Sequence, residues 1–276
     1  KDREGEAWAL SSFSTILWRY GEYDDAIQLL EHALKIRQNQ NYLRGMAHNL
    51  NNLGLVYFSI GNFKLAQTYF HNALELYQQI GDVRNQGNVL SNLSILFLYQ
   101  EQLKPALDYA QKALELSQKY GLFRLNINAR IYLAKVLIEL KDPAHFDQIS
   151  KLLESALKDA QVSSYKQAIL EAKTSQASLL LTKSQLQPAY QLSSEAITLM
   201  KEMGLVEEEL CWLHSHLAFL LKKESEALNT LKTALDSIKT SGQKIQDKEA
   251  QKSFIYSNPY RKRIMELAKK IGIISS

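Results

Sequence analysis

Apolar residues recur along most of the chain at spacings of three and four and rarely alternate with polar ones. Leu50, Leu53 and Tyr57 form one such set; Phe63, Tyr69, Phe70 and Leu74 supply the next. This spacing predicts amphipathic helices that each bury one face. Gly21 and Gly61 interrupt the pattern briefly and divide the first helical stretches into pairs. Gly81, Gly121, Gly204 and Gly242 each stand eight residues after an alanine and mark expected helix ends. Asn41 and Ser164 hold the same place elsewhere, asparagine being the next best residue for a left-handed terminal turn. Pro105 and Pro188 fall at helix starts, where a missing N–H costs nothing.

The helices repeat. Residues 47–81, AHNLNNLGLVYFSIGNFKLAQTYFHNALELYQQIG, align with 87–121, GNVLSNLSILFLYQEQLKPALDYAQKALELSQKYG. Alanines recur at Ala33, Ala73, Ala113, Ala156, Ala196 and Ala234, about 40 residues apart. Seven residues ahead stand Ala26, Ala66, Ala106, Ala189 and Ala227, with Ile149 the exception. A third small column runs Ser14, Gly54, Ser94, Ala134, Ala177 and Ser215. Helices approach closely only where the crossing side chains are small. The columns therefore predict antiparallel helix pairs and an all-α fold. Six repeats occupy 1–243, at about 7–41, 47–81, 87–121, 127–164, 170–204 and 208–242. Residues 244–276 are expected to form a capping segment of one or two helices interrupted near Pro259, covering the apolar end of the array.

These columns resemble the tetratricopeptide repeat family, in its longer variety of about 40 residues. The resemblance runs from about Ala7 to Gly242. It implies a right-handed superhelical solenoid, with first helices lining the concave side and second helices the convex side. It also suggests a fragment of a larger bacterial regulatory or signalling protein, an expectation to which the initial Lys1 contributes.

Composition narrows the function. Hydrophobic residues make up 46% and charged residues 22% of 276, an ordinary globular balance. One cysteine excludes a disulfide framework and suits a reducing, cytoplasmic setting. No apolar run is long enough for a membrane span. From Lys244 to Ser276 there are eight basic and three acidic residues, a net +5; the rest carries a net −1. The positive charge thus belongs to the tail, which argues against nucleic acid as the partner.

No catalytic motif is present: no phosphate-binding glycine loop, no GxSxG and no HExxH. The expectation is a protein that is not an enzyme, with no cofactor and no metal. His214 and His216 point about 200° apart on a helix and cannot share a metal. Cys211 and His214 could, but Cys211 occupies an apolar packing position. The run Glu207–Glu209 opens a helix, where negative charge suits the dipole, and reads as a solvated start.

The candidate ligand groove follows the first helices. It comprises Arg44, His48 and Asn51 (then Leu55), Arg84, Asn88 and Ser91 (then Ile95), and Arg124 and Asn128 (then Ile131 and Lys135). The three arginines repeat every 40 residues in a first turn, where a cation opposes the macrodipole. Something must hold them: an acid of the preceding repeat, or an acidic ligand, since guanidinium suits bidentate anion binding. Asn51, Asn88 and Asn128 can pair with a peptide backbone, and similar asparagines do so in peptide-binding members of the family. Asn52 and Asn92 are expected to bond within the array. Trp8, Trp18 and Trp212 are candidate aromatic contacts. The expected function is a peptide- or protein-binding module of a cytoplasmic signalling protein. Alternatives are a small-molecule sensor domain of a multidomain regulator, or a self-association module.

Overall fold

A computed structural model describes residues 2–274; Lys1 lies outside them, as do Ser275 and Ser276 of the expected capping segment. The described residues form helices and no strand. In order these are α1 (Arg3–Arg19), α2 (Tyr23–Asn39), α3 (Leu43–Ser59), α4 (Phe63–Gln79) and α5 (Val83–Tyr99). There follow α6 (Leu103–Lys119), α7 (Phe123–Leu140), α8 (Phe146–Val162), α9 (Lys166–Thr182) and α10 (Leu186–Glu202). The last are α11 (Glu208–Leu220), α12 (Glu224–Gln243), α13 (Lys248–Tyr256) and α14 (Pro259–Lys270). The fold is all-α, in helix pairs packed consecutively.

The small columns are buried throughout. Ala26, Ala33, Ala66, Ala73, Ala106, Ala113, Ala156, Ala189, Ala196, Ala227 and Ala234 are fully inaccessible, as is Ile149. Gly54 shows why size matters at these crossings. A Cβ there would lie 2.6 Å from the Phe70 ring, so α3 and α4 meet only because that atom is missing.

The chain divides into two compact units. In the unit built from residues 2–102 and 239–258, α1 to α5 pack in succession, and the first helices α1, α3 and α5 also touch in order. In the unit built from 103–238 and 259–274, α6 to α11 do likewise, with α7, α9 and α11 forming the layer of first helices. Ala227 of α12 packs with Leu213 and Leu217 of α11, and α14 also lies on α11.

Two expectations about the end of the array need correction. Gly242 does not terminate its helix: α12 continues through it to Gln243, and Gly242 lies against the ring of Phe254. The segment beyond does not simply cap the last pair either. It returns to the turns inside the first two pairs. Lys244 Nζ donates to the Tyr20 carbonyl at 2.7 Å and pairs with Glu22 at 2.9 Å. The Gln246 amide donates to Asp24 Oδ2 at 3.0 Å, and fully buried Phe254 meets Tyr23 at 5.8 Å. Burying one phenylalanine contributes about 1.5–3 kcal/mol.

Gly61 is the fulcrum of this docking. Its φ is +81°, and a Cβ would fall 2.4 Å from the Ser253 carbonyl oxygen. Ser253 Oγ in turn donates to the Gly61 carbonyl at 3.0 Å. Glu101, Lys141, Ser184 and Lys222 hold the matching turns of later pairs at φ from 55° to 60°, so left-handed backbone alone does not demand glycine. The docked segment does.

Gly61→Ala should cost more than the roughly 1–2 kcal/mol of a left-handed residue, and hydrogen exchange should show faster amides across residues 245–257. Ala73→Leu should overpack a filled crossing and cost about 1–3 kcal/mol, read as a lower denaturation midpoint. A midpoint unchanged in Ala73→Leu would contradict the packing described.

Candidate functional site

The expected groove residues lie on the layer of first helices. In the first unit the centre of that layer is a set of amides. Asn92 Nδ2 of α5 donates to Asn51 Oδ1 of α3 at 2.9 Å, and Asn51 Nδ2 reaches Asn52 Oδ1 at 3.4 Å. All three side chains are half-buried. Asn92 and Asn52, expected to serve only the array, are thus joined with Asn51 in one cluster. Asn88 is exposed and donates to Asn85 at 3.3 Å. His48 is exposed. Ser91 departs from the expected groove lining: it is 3% exposed, and its hydroxyl has no partner among the described residues. Its position turns into the helix packing, as Ser11 does two periods earlier and Ile131 one period later, whereas Asn51 between them is half-buried.

Arg44, Arg84 and Arg124 are all exposed at the second position of α3, α5 and α7. Arg44 Nε lies 3.7 Å from Asp82 Oδ2, an acid of the following pair rather than the preceding one. Asp82 is available there because it caps α5, accepting from the Asn85 amide. Arg124 stacks on the Tyr165 ring at 5.1 Å, and Asn128 Nδ2 donates to the Tyr165 hydroxyl at 3.3 Å. Arg84 makes no ion pair among the described residues.

The second unit carries charge where the first carries amides. Glu207–Glu209 is not a solvated helix start. Glu209 pairs with Lys135 of α7 at 2.7 Å, Glu208 with Arg261 of α14 at 2.6 Å, and Glu207 accepts from Gln167 of α9 at 3.3 Å. Glu171 Oε2 is buried and has no partner among the described residues. Burial, followed by the neighbouring Glu171 carboxylate, pushes the Glu207 carboxyl up to about 7. Opposing carboxylates hold the Lys135 ammonium above its usual range despite the cost of burial.

The tryptophans separate. Trp8 is 65% exposed on α1, and half-buried Trp18 donates to Ser59 Oγ at 2.8 Å. Trp212 is not an open contact surface. Arg263 of α14 stands over its ring at 4.8 Å, with Tyr260 at 6.2 Å and His216 stacked at 5.4 Å.

Two buried networks carry no local sequence signal. Arg37, 3% exposed, pairs with Glu4 at 2.9 Å, donates to Asn49 Oδ1 at 2.6 Å and also to the Gly45 carbonyl, so α1, α2 and α3 share one guanidinium. His214 Nδ1 bonds Ser193 Oγ at 2.8 Å and its Nε2 meets Glu226 Oε1 at 3.1 Å, while Tyr190 donates to the same carboxylate. The trio has the composition of a hydrolytic relay. Ser193 is completely buried, however, so its hydroxyl offers no face to a substrate and acts as a strut. Cys211 is also fully buried, 4.0 Å from the Met200 sulfur, and burial lifts its thiol to about 12. No group of three His, Cys, Asp or Glu among the described residues is arranged to hold a metal ion.

The pattern of the tetratricopeptide repeat family matches residues 45–119 and, in a second form, 7–39. These stretches are tetratricopeptide repeats. Solved structures extend the likeness. A Rap protein complexed with competence and sporulation factor has a TM-score of 0.63 at 16% identity, over 98% of this chain and 88% of that one. NprR in complex with its cognate peptide NprX has a TM-score of 0.69 at 16% identity, over 100% and 76%. A signal transduction ATPase with numerous domains and a tetratricopeptide repeat sensor, from Pyrococcus horikoshii, scores 0.59 at 17% identity. That match covers 92% of this chain and 39% of the ATPase. At these identities the likeness is one of fold. No curated protein matches the chain.

Burial beside Glu171 gives Glu207 a testable pH dependence. Its carboxyl binds a proton more tightly folded than unfolded, so its contribution favours folding at low pH and is lost as pH rises through about 7. Comparing Glu207→Gln with the parent, the difference in unfolding free energy should grow in the variant's favour between pH 5 and pH 8. Parallel stability curves for the two proteins would place Glu207 in water rather than beside Glu171.

Proposed function

We propose that this protein is a non-catalytic repeat module that binds an extended peptide or protein segment along its layer of first helices. The observation that carries the reading is the Asn51–Asn52–Asn92 cluster, in which Asn92 donates to Asn51 and Asn51 to Asn52. An amide both donates and accepts, so each of these bonds can be exchanged for one to a peptide backbone. The net gain per hydrogen bond is roughly 0.5–1.5 kcal/mol. Exposed Arg44 and Arg84 add cations in the same unit that suit acidic side chains or a terminal carboxylate. Two structural neighbours, a Rap protein complexed with its factor and NprR complexed with its peptide, support the choice of a peptide. The module would serve a larger cytoplasmic regulatory or signalling protein, as the sensor of the ATPase neighbour suggests. No described helix is long and apolar enough to cross a membrane.

Peptides selected from a displayed random library should be enriched in acidic residues. Replacing Asn51, Asn92 and Arg84 together by alanine should weaken their binding at least tenfold in isothermal titration, about 1.4 kcal/mol, with unchanged helical content. Equal affinity in parent and triple variant would remove the amide cluster from the binding surface.

A further inference from the structure

A half-open cavity of about 320 Å³ lies in the second unit, walled by α10 and α12 and floored by Cys211 and His214 of α11. Position along the repeat shows why the helices do not close there. Thr230 stands four residues before the column residue Ala234, where the earlier second helices carry Leu29, Tyr69, Tyr109, Leu152 and Leu192. Cys211 stands four before Ser215, where the earlier first helices carry Leu10, Leu50, Leu90, Arg130 and Lys173. Longer side chains at these two positions bridge their pairs. Tyr69 stacks on Tyr57 of α3 at 5.3 Å, Arg130 reaches Asp159 of α8, and Lys173 reaches Glu195 of α10. A threonine and a cysteine are too short to do so, and the gap stays open.

The groups around the gap carry opposite charges on opposite walls. Lys201 of α10 is exposed at the rim and makes no ion pair among the described residues. It stands where α2, α4, α6 and α8 carry Gln38, Gln78, Gln118 and Gln161. Across the cavity, Glu226 of α12 is fixed by the Tyr190 hydroxyl and by His214 Nε2. The Tyr190 bond, and after it His214, holds this carboxyl below the usual carboxylate range. An ionised carboxylate has about four acceptor positions, so two remain for a ligand. Ile197 and Met200 line the α10 wall beside Lys201 and supply apolar surface. We infer that this cavity binds a free α-amino acid with an apolar side chain, its ammonium on Glu226, its carboxylate on Lys201 and its side chain against Ile197 and Met200. The volume stands at the small end of the roughly 300–1,000 Å³ of ligand clefts, which suits one such molecule and excludes a peptide segment. The site is separate from the amide cluster proposed to hold a peptide.

Isothermal titration with L-leucine is the test, flanked by 3-methylbutylamine, which lacks its carboxylate, and 4-methylpentanoate, which lacks its ammonium. Leucine should bind saturably, and each analogue roughly tenfold or more weakly, as loss of a charge-assisted contact implies. Thr230→Leu restores the residue of α2, α8 and α10 and fills the gap; it should abolish binding while melting at or above the parent's temperature. Lys201→Gln restores the residue of the earlier helices and should weaken leucine roughly tenfold while leaving 3-methylbutylamine unchanged. The Asn51, Asn92 and Arg84 alanine variant should bind leucine as the parent does, so that failure of the peptide reading and failure of this one remain distinguishable. No saturable binding of leucine, valine or methionine overturns the proposal. So does leucine binding that survives Thr230→Leu, or an affinity for the amine equal to that for leucine.

Discussion

Small side chains at helix crossings are the constraint on which the rest of the structure depends. A two-layer array of helices has a thin interior, and each helix must bury a large share of its surface against immediate neighbours. Alanine meets both demands at once. It has the highest intrinsic helix propensity and loses no side-chain entropy on burial, while allowing axes to come within the short end of the packing range. Bulk is then supplied from the flanks, as where the Phe70 ring enters the space left by Gly54.

The same thinness explains the polar chemistry. In a layer without a deep apolar core, half-buried polar groups must satisfy one another. The first unit does so with neutral amides and with Arg37, whose guanidinium serves three helices. The second does so with carboxylates answered by Lys135, Gln167 and Arg261. Buried ionic groups of this kind add little net stability, but removing one partner strands the other. Their placement fixes which helix faces which, and the two units achieve it with opposite means.

Features confined to one helix pair were legible in the sequence. The alanine columns, the turn glycines and the helix ends at Gly81, Gly121 and Gly204 follow from local backbone and packing rules. Asn51 and Asn92 stand one period and one residue apart, and the repeat spacing placed them on neighbouring helices without revealing their bond. Partners far apart in the chain left no trace. Lys135 and Glu209 are separated by 74 residues, and Lys244 and Tyr20 by 224. Nothing near Glu207–Glu209 distinguishes an engaged acidic run from a solvated one, and nothing near Trp212 announces that Tyr260 and Arg263 will cover it. Gly242 misled because glycine stops a helix only where the following residues find nothing better, and here they find the turn at Tyr20.

That long return of the chain bears on how the molecule is made. During synthesis the first two pairs emerge from the ribosome roughly 170 residues before Lys244, at about 5–20 residues per second. For many seconds the hydrophobic notch destined for Phe254 stands open, and the unit made first is completed only by a segment translated much later. A protein stalled or clipped short of Phe254 would leave unfinished the unit whose helices were made earlier.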